Sequence, residues 1–159
     1  NYFDLLKMSL LKKEKETYDS IQYYWNEALG IDKTYYYCYK SLADLYLNAQ
    51  DFDRFIDINK KAISYGEFET NTEFYLNIGN AYNTQNNFSE AIVYMKKAVS
   101  EIDKIYTRIY RSNLKNRRSK LMGLLNEKKQ ILNFIVNIYY RSGDTENRIK
   151  YQKLSEELQ

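Results

Sequence analysis

Phe74-Tyr75-Leu76-Asn77-Ile78-Gly79-Asn80-Ala81-Tyr82, followed by Phe88-Ser89-Glu90-Ala91-Ile92-Val93-Tyr94-Met95-Lys96-Lys97-Ala98, is the stretch whose reading decides the fold. Tyr75, Ile78, Gly79 and Tyr82 recur at helical spacing in its first half, and Ala91, Met95 and Ala98 do so in its second. Each half therefore presents the apolar stripe of an amphipathic helix. Gly79 and Ala91 are small where two antiparallel helices must approach closely, and Tyr75, Tyr82 and Met95 fill the space around that contact. Thr70-Asn71-Thr72-Glu73 reads as a capping box opening the first helix, and Asn87 with Glu90 does the same for the second.

The same frame fits upstream. Tyr39, Leu42, Ala43 and Tyr46 repeat the first helix, Phe52, Ile56, Ala62 and Ile63 repeat the second, and Ala43 precedes Gly79 by 36 residues. Phe55 and Asn59 stand where small and aromatic residues are expected. Two further units are more degenerate. Tyr18, Ile21, Trp25, Ala28 and Leu29 read as a second helix preceded by a first over 2–13, in which Ser9 and Lys12 fit poorly. Leu132, Ile135, Val136 and Tyr139, then Ser142-Gly143-Asp144, then Ile149, Tyr151 and Leu154, read as helix, turn and helix, with Val136 and Arg148 in place of small residues. Gly30 and Gly66 are read as left-handed helix ends.

This pattern resembles the tetratricopeptide repeat, whose first helix reads W-x2-L-G-x2-Y and whose second reads A-x3-F. The proline that usually follows each unit of the family is missing. The resemblance implies an all-α, right-handed α-solenoid of antiparallel helix pairs over 1–159. It would have about four units, near 2–30, 34–66, 70–111 and 119–159. Composition agrees: proline is absent and glycine occurs five times, while 44% of the residues are hydrophobic and 18 are tyrosine. Helices then meet few breakers, and the core is large enough to fold.

Between the third and fourth units the period breaks, because Val136 follows Gly79 by 57 residues. Ile102, Ile105, Tyr106, Ile109 and Tyr110 continue the stripe of the second helix, and Leu121, Leu124, Leu125 and Ile131 lead into the next. A pair of lengthened helices joined near Ser112 to Ser119 is expected. This hairpin collects charge. Lys104, Arg108, Arg111, Lys115, Arg117, Arg118 and Lys120 occur from 104 to 126 without an Asp or Glu, so in a chain of net charge +3 the remainder stands at −4. Such segregation suits a phosphate-bearing partner, an acidic protein or an anionic surface, or else a solvated tip whose Lys and Arg stems cover apolar surface.

In the family the first helices line a concave groove that takes extended or helical peptides. The resemblance places Tyr37, Lys40, Asp44 and Asn48, then Glu73, Asn77, Asn80 and Asn83, then Asn133, Asn137 and Arg141 on that face. Side-chain amides both donate to and accept from a peptide backbone without demanding one sequence. A clamp for the acidic tails of chaperones, known in one subfamily, is not expected, because Asp44 replaces an Asn and would repel a terminal carboxylate. In the run Tyr35-Tyr36-Tyr37-Cys38-Tyr39 only Tyr39 falls on the packing stripe, although most of the run reads as inter-helix packing.

Catalysis is not expected, nor is a cofactor or metal. Histidine is absent and Cys38 is the single cysteine, which removes the commonest general base and metal ligand and leaves a thiol that reads as a small core residue. The paired carboxylates Asp51 and Asp53, Glu67 and Glu69, and Glu156 and Glu157 fall in turns or at helix ends. No apolar run reaches the roughly 18 to 20 residues of a membrane span. The reading is of a protein-binding module, cytoplasmic, forming the sensing or scaffold part of a larger protein. Usage rich in Lys, Asn, Ile and Tyr suggests a bacterial source. Nucleic-acid or anionic-surface binding through the basic hairpin, and self-association through its apolar stripe, are the alternatives.

Overall fold

The computed structural model describes the backbone of residues 2–65 and 71–158, and side chains from residue 16 onward within those ranges. Seven α-helices and no strand occur among them: α1 (Tyr2–Ile31), α2 (Tyr36–Asn48), α3 (Phe52–Tyr65), α4 (Thr72–Thr84), α5 (Phe88–Tyr110), α6 (Arg117–Ser142) and α7 (Thr145–Glu156). They form two compact units, 1–68 and 69–159. Within each unit consecutive helices pack on one another across short turns, so neighbours run antiparallel.

In the first unit Tyr39, Leu42, Ala43 and Tyr46 of α2 are buried as their spacing requires, against Phe55, Ile56, Ile58 and Ala62 of α3. Phe55 thus fills a position where the pattern wanted a small residue. Asn59 is fully buried beside it, and its Nδ2 donates to the Phe55 carbonyl at 2.7 Å, so the buried amide keeps a partner. The Tyr39 hydroxyl donates to the Lys33 carbonyl at 2.8 Å, and burial pushes its pKa up to about 12. Cys38 is buried too, and its thiol is raised by burial. Tyr35 and Tyr37, by contrast, are 46% and 63% exposed. The tyrosine run is less of a packing element than expected, since Tyr37, two positions from Tyr39, leaves its face and Tyr35 precedes the helix as its extended cap residue.

Two expectations for the N-terminal segment need correction. A turn between the helices read at 2–13 and from Tyr18 is absent: α1 runs unbroken for 30 residues. Gly30 lies inside α1 and is not a left-handed end, for the helix continues to Ile31 and Gly143 alone among the described glycines has a positive φ. Gly66 and Thr70 fall outside the described residues. Helix α4 starts at Thr72 with Asn71 as its cap residue, and the Asn71 side chain makes no cap hydrogen bond.

In the second unit Ala91, Met95, Ala98 and Ile102 of α5 meet Ile131, Leu132, Ile135, Ile138 and Tyr139 of α6 in one buried cluster. A Cβ on Gly79 would stand 2.8 Å from Met95 Cε and 3.3 Å from the Ala91 carbonyl oxygen. The absence of a side chain is what lets α4 and α5 approach. Helix α7 is less buried than expected. Ile149 and Leu154 are exposed, Tyr151 is half-buried, and Ser155 is its one buried residue.

The turns within the helix pairs share one design. After α2, α4 and α6 the chain passes through a left-handed residue, Gln50, Asn86 and Gly143, with φ of 55°, 59° and 78°. At each, the N–H of the next residue donates to a tyrosine carbonyl: Asp51 to Tyr46, Asn87 to Tyr82 and Asp144 to Tyr139. The left-handed residue donates three back, as in a Schellman motif. Asp51, Asn87 and Asp144 then turn their side-chain oxygens to cap the following helix, accepting from the N–H groups of Arg54, Glu90 and Asn147. The capping pair read at Asn87 and Glu90 is half formed, because the Asn87 N–H is already given to Tyr82. The three turns are offset by 36 and 57 residues, the same offsets that the side-chain pattern has.

Candidate functional site

Helices α4 and α6 are both first members of their pairs, and α5, antiparallel to each, makes them run in the same direction. The Arg141 guanidinium on α6 donates to Asn83 Oδ1 on α4 at 2.8 Å and to Asn86 Oδ1 in the turn after it at 2.9 Å, and stands over the Phe88 ring at 4.9 Å. Two candidate groove residues, Asn83 and Arg141, are thereby committed to each other. On each helix the residue one turn earlier is also an asparagine, Asn80 on α4 and Asn137 on α6. Because the helices are parallel, these two come side by side on the same flank of the Arg141 bridge. Both are exposed, with no side-chain hydrogen bond among the described residues.

The other candidates divide. Asn133 accepts from the Ser155 hydroxyl at 2.6 Å and so ties α6 to α7. Asn77 is half-buried and Glu73 exposed on α4. Tyr37, Lys40, Asp44 and Asn48 make one exposed row along α2, in the other compact unit.

Next to Asn137 the surface opens into a cleft of about 620 Å³ between α6 and α7. Tyr140, 67% exposed, forms one lip with the Arg148 guanidinium over its ring at 5.8 Å, and Arg148 Nε is buried without a hydrogen-bond partner among the described residues. Nothing in the sequence marked Tyr140, which sits off the packing stripe, and Arg148 stood out only as a departure from the small residue that the repeat pattern wants. A second cleft, of about 540 Å³, lies on the opposite side of α6, where α5, α6 and α7 meet. Its floor is Leu132 and Ile135. Its rim carries the Lys128–Asp103 ion pair at 2.6 Å and Lys96, whose ammonium lies over the rings of Tyr151 and Tyr139.

The basic hairpin is formed by the ends of α5 and α6, joined across 111–116. Beyond Ile102 and Ile131 its apolar residues Ile105, Tyr106, Ile109, Leu121, Leu124 and Leu125 are only half-buried. Lys104, Arg108, Arg111, Lys115, Arg117, Arg118 and Lys120 are all exposed. Lys104 and Arg117 have work inside the molecule. Lys104 pairs with Glu101 at 2.6 Å, and Arg117 closes the turn by donating to the carbonyls of Tyr110 and Ser112. The first turn of α6 holds cations and no acid, against the sign that a helix dipole favours. No helix among the described residues is long and apolar enough to cross a membrane.

No curated protein matches the chain. Residues 72–102 match the family model of the tetratricopeptide repeat. The match opens at the first residue of α4 and closes at Ile102, the last buried residue of α5, so the repeat ends where the projecting hairpin begins. All-helical architecture, the Gly79–Met95 contact and the thrice-used turn agree with it: the chain is a helical-repeat protein that carries a tetratricopeptide repeat at residues 72–102.

Proposed function

We propose that the chain is a protein-interaction module, the sensing or scaffold part of a larger bacterial protein, which holds an extended or helical partner segment against α4 and α6. The observation carrying this reading is the pair Asn80 and Asn137, two exposed amides without side-chain partners among the described residues, on parallel neighbouring helices. An amide offers a donor and an acceptor together, the complement of a peptide unit. The Arg141 bridge fixes the separation of the two helices, so the amides are preorganised and little ordering cost remains for binding. Tyr140 and Arg148 beside Asn137 supply an aromatic and a guanidinium, the side chains most enriched at binding hot spots. Binding rather than catalysis fits a chain without histidine whose one thiol is buried.

The test is comparative capture. Proteins retained by the wild-type chain should be lost from the Asn80→Ala/Asn137→Ala variant, and kept by a variant altered on the α2 row, Lys40→Ala/Asn48→Ala. Each amide contributes about 1 kcal/mol, so the double substitution should weaken a partner by roughly tenfold or more. An identical set of partners at identical affinity would reject the surface.

A further inference from the structure

We propose that the tip of the α5–α6 hairpin docks on an anionic lipid surface, independently of the α4–α6 face. Three large apolar side chains are exposed there: Tyr110 at 61%, Leu114 at 47% and Met122 at 51%. They alternate in sequence with the exposed cations Arg111, Lys115, Arg118 and Lys120, and no acid occurs from 104 to 126. Arg118 and Met122 are four apart on α6 and share a helix face, and Leu114 sits in the connecting turn whose carbonyl accepts from the Arg117 N–H. Apolar side chains that reach the acyl boundary among cations that meet the headgroups are the composition of an interfacial anchor.

Charge complementarity alone fits any polyanion, so the apolar side chains decide between them. A nucleic acid uses open aromatic faces to stack its bases. Here the one exposed ring, Tyr110, already has Tyr106 stacked on it at 6.3 Å and 10°, and the Arg117 guanidinium 5.9 Å from its centroid. Leu114 and Met122 have no π face to offer. An acidic peptide needs a cleft to lie in, and the cleft of about 690 Å³ that Lys104, Arg108 and Arg111 line also holds Asp103 and includes none of Tyr110, Leu114 and Met122. A leaflet demands neither, only a convex end with apolar points and positive charge.

Vesicle sedimentation with the full chain tests this. Phosphatidylserine-containing vesicles should pull the protein down at low salt while pure phosphatidylcholine vesicles do not, and high salt should release it. Each cation near an anionic leaflet strengthens partition about fivefold, so Arg111→Gln/Lys115→Gln/Arg118→Gln should lower it by about a hundredfold. Leu114→Ser/Met122→Ser should lower it by about tenfold through lost insertion. Circular dichroism of both variants should match the wild type, since every altered side chain is exposed. Failure to bind the anionic vesicles, or equal binding by the triple variant, overturns the proposal. So does a single-stranded RNA that binds at the same salt and displaces the vesicles. None of these results bears on Asn80 and Asn137, so the two readings fail separately.

Discussion

Gln50, Asn86 and Gly143 occupy one backbone conformation at three equivalent turns, and only the third is the residue that conformation favours. A left-handed residue with a Cβ costs roughly 1 kcal/mol relative to glycine, less for asparagine. Gln50→Gly should therefore raise stability by about 1 kcal/mol, read as a higher midpoint in urea with an unchanged slope. Asn86→Gly should gain little or lose, because the Asn86 amide oxygen also accepts from Arg141. Equal gains at both positions would show that the Arg141 bond contributes nothing. Legibility at this scale follows spacing. Gly79 was readable because a helix must be small where another crosses it. The end read at Gly30 failed, since a glycine after an apolar stretch is compatible with one more helical residue, and φ is not written in composition. Gln50 gives no local sign of its left-handed φ, and the register of the repeat is what reveals it.

Helices α5 and α6 are longer than their partners because their apolar stripes continue, and Ile105, Ile109 and Leu124 make that extension readable in the sequence. Helix α1 escaped the same reading because Lys13-Glu14-Lys15-Glu16-Thr17, where a turn was expected, contains neither glycine nor proline. Those residues propagate a helix as well as they end one. The charge on α6 lies at the wrong end for stability. Arg118 and Lys120 occupy the first turn, where the N–H groups already carry positive potential, and each costs roughly 0.3 to 1 kcal/mol at low salt. Arg118→Glu/Lys120→Glu should therefore raise the melting temperature by a few degrees, with the gain shrinking in high salt. A fall in melting temperature at low salt would mean that these cations stabilise the hairpin. The expected direction is informative, because side chains that oppose their own helix have some use other than folding it.

The candidate partner surface and the charged tip both belong to the second compact unit, in which α5 and α6 share a buried cluster. How the groove residues would be spent was not legible in the sequence. Arg141 meets Asn83 across 58 positions, and Ser155 meets Asn133 across 22. No periodicity reports which amide finds an internal donor, so Asn80 and Asn137 could be separated from Asn83 and Asn133 only by their neighbours in space. Repeat proteins draw their stability from each unit and its nearest neighbours, and the second unit keeps α4·α5, α5·α6 and α6·α7 packing within itself. A fragment of residues 69–159 should thus retain a helical dichroism spectrum and melt cooperatively. Ile135→Ala or Ile138→Ala, each emptying a fully buried site, should cost that fragment about 2 to 5 kcal/mol. It should also reproduce the behaviour of the whole chain toward a captured partner and toward anionic vesicles, since Asn80, Asn137, Leu114 and Met122 all lie within it. A fragment that is helical but melts without cooperativity would place part of the core outside 69–159. A folded fragment that has lost its partner would show that residues 69–159 do not suffice for capture.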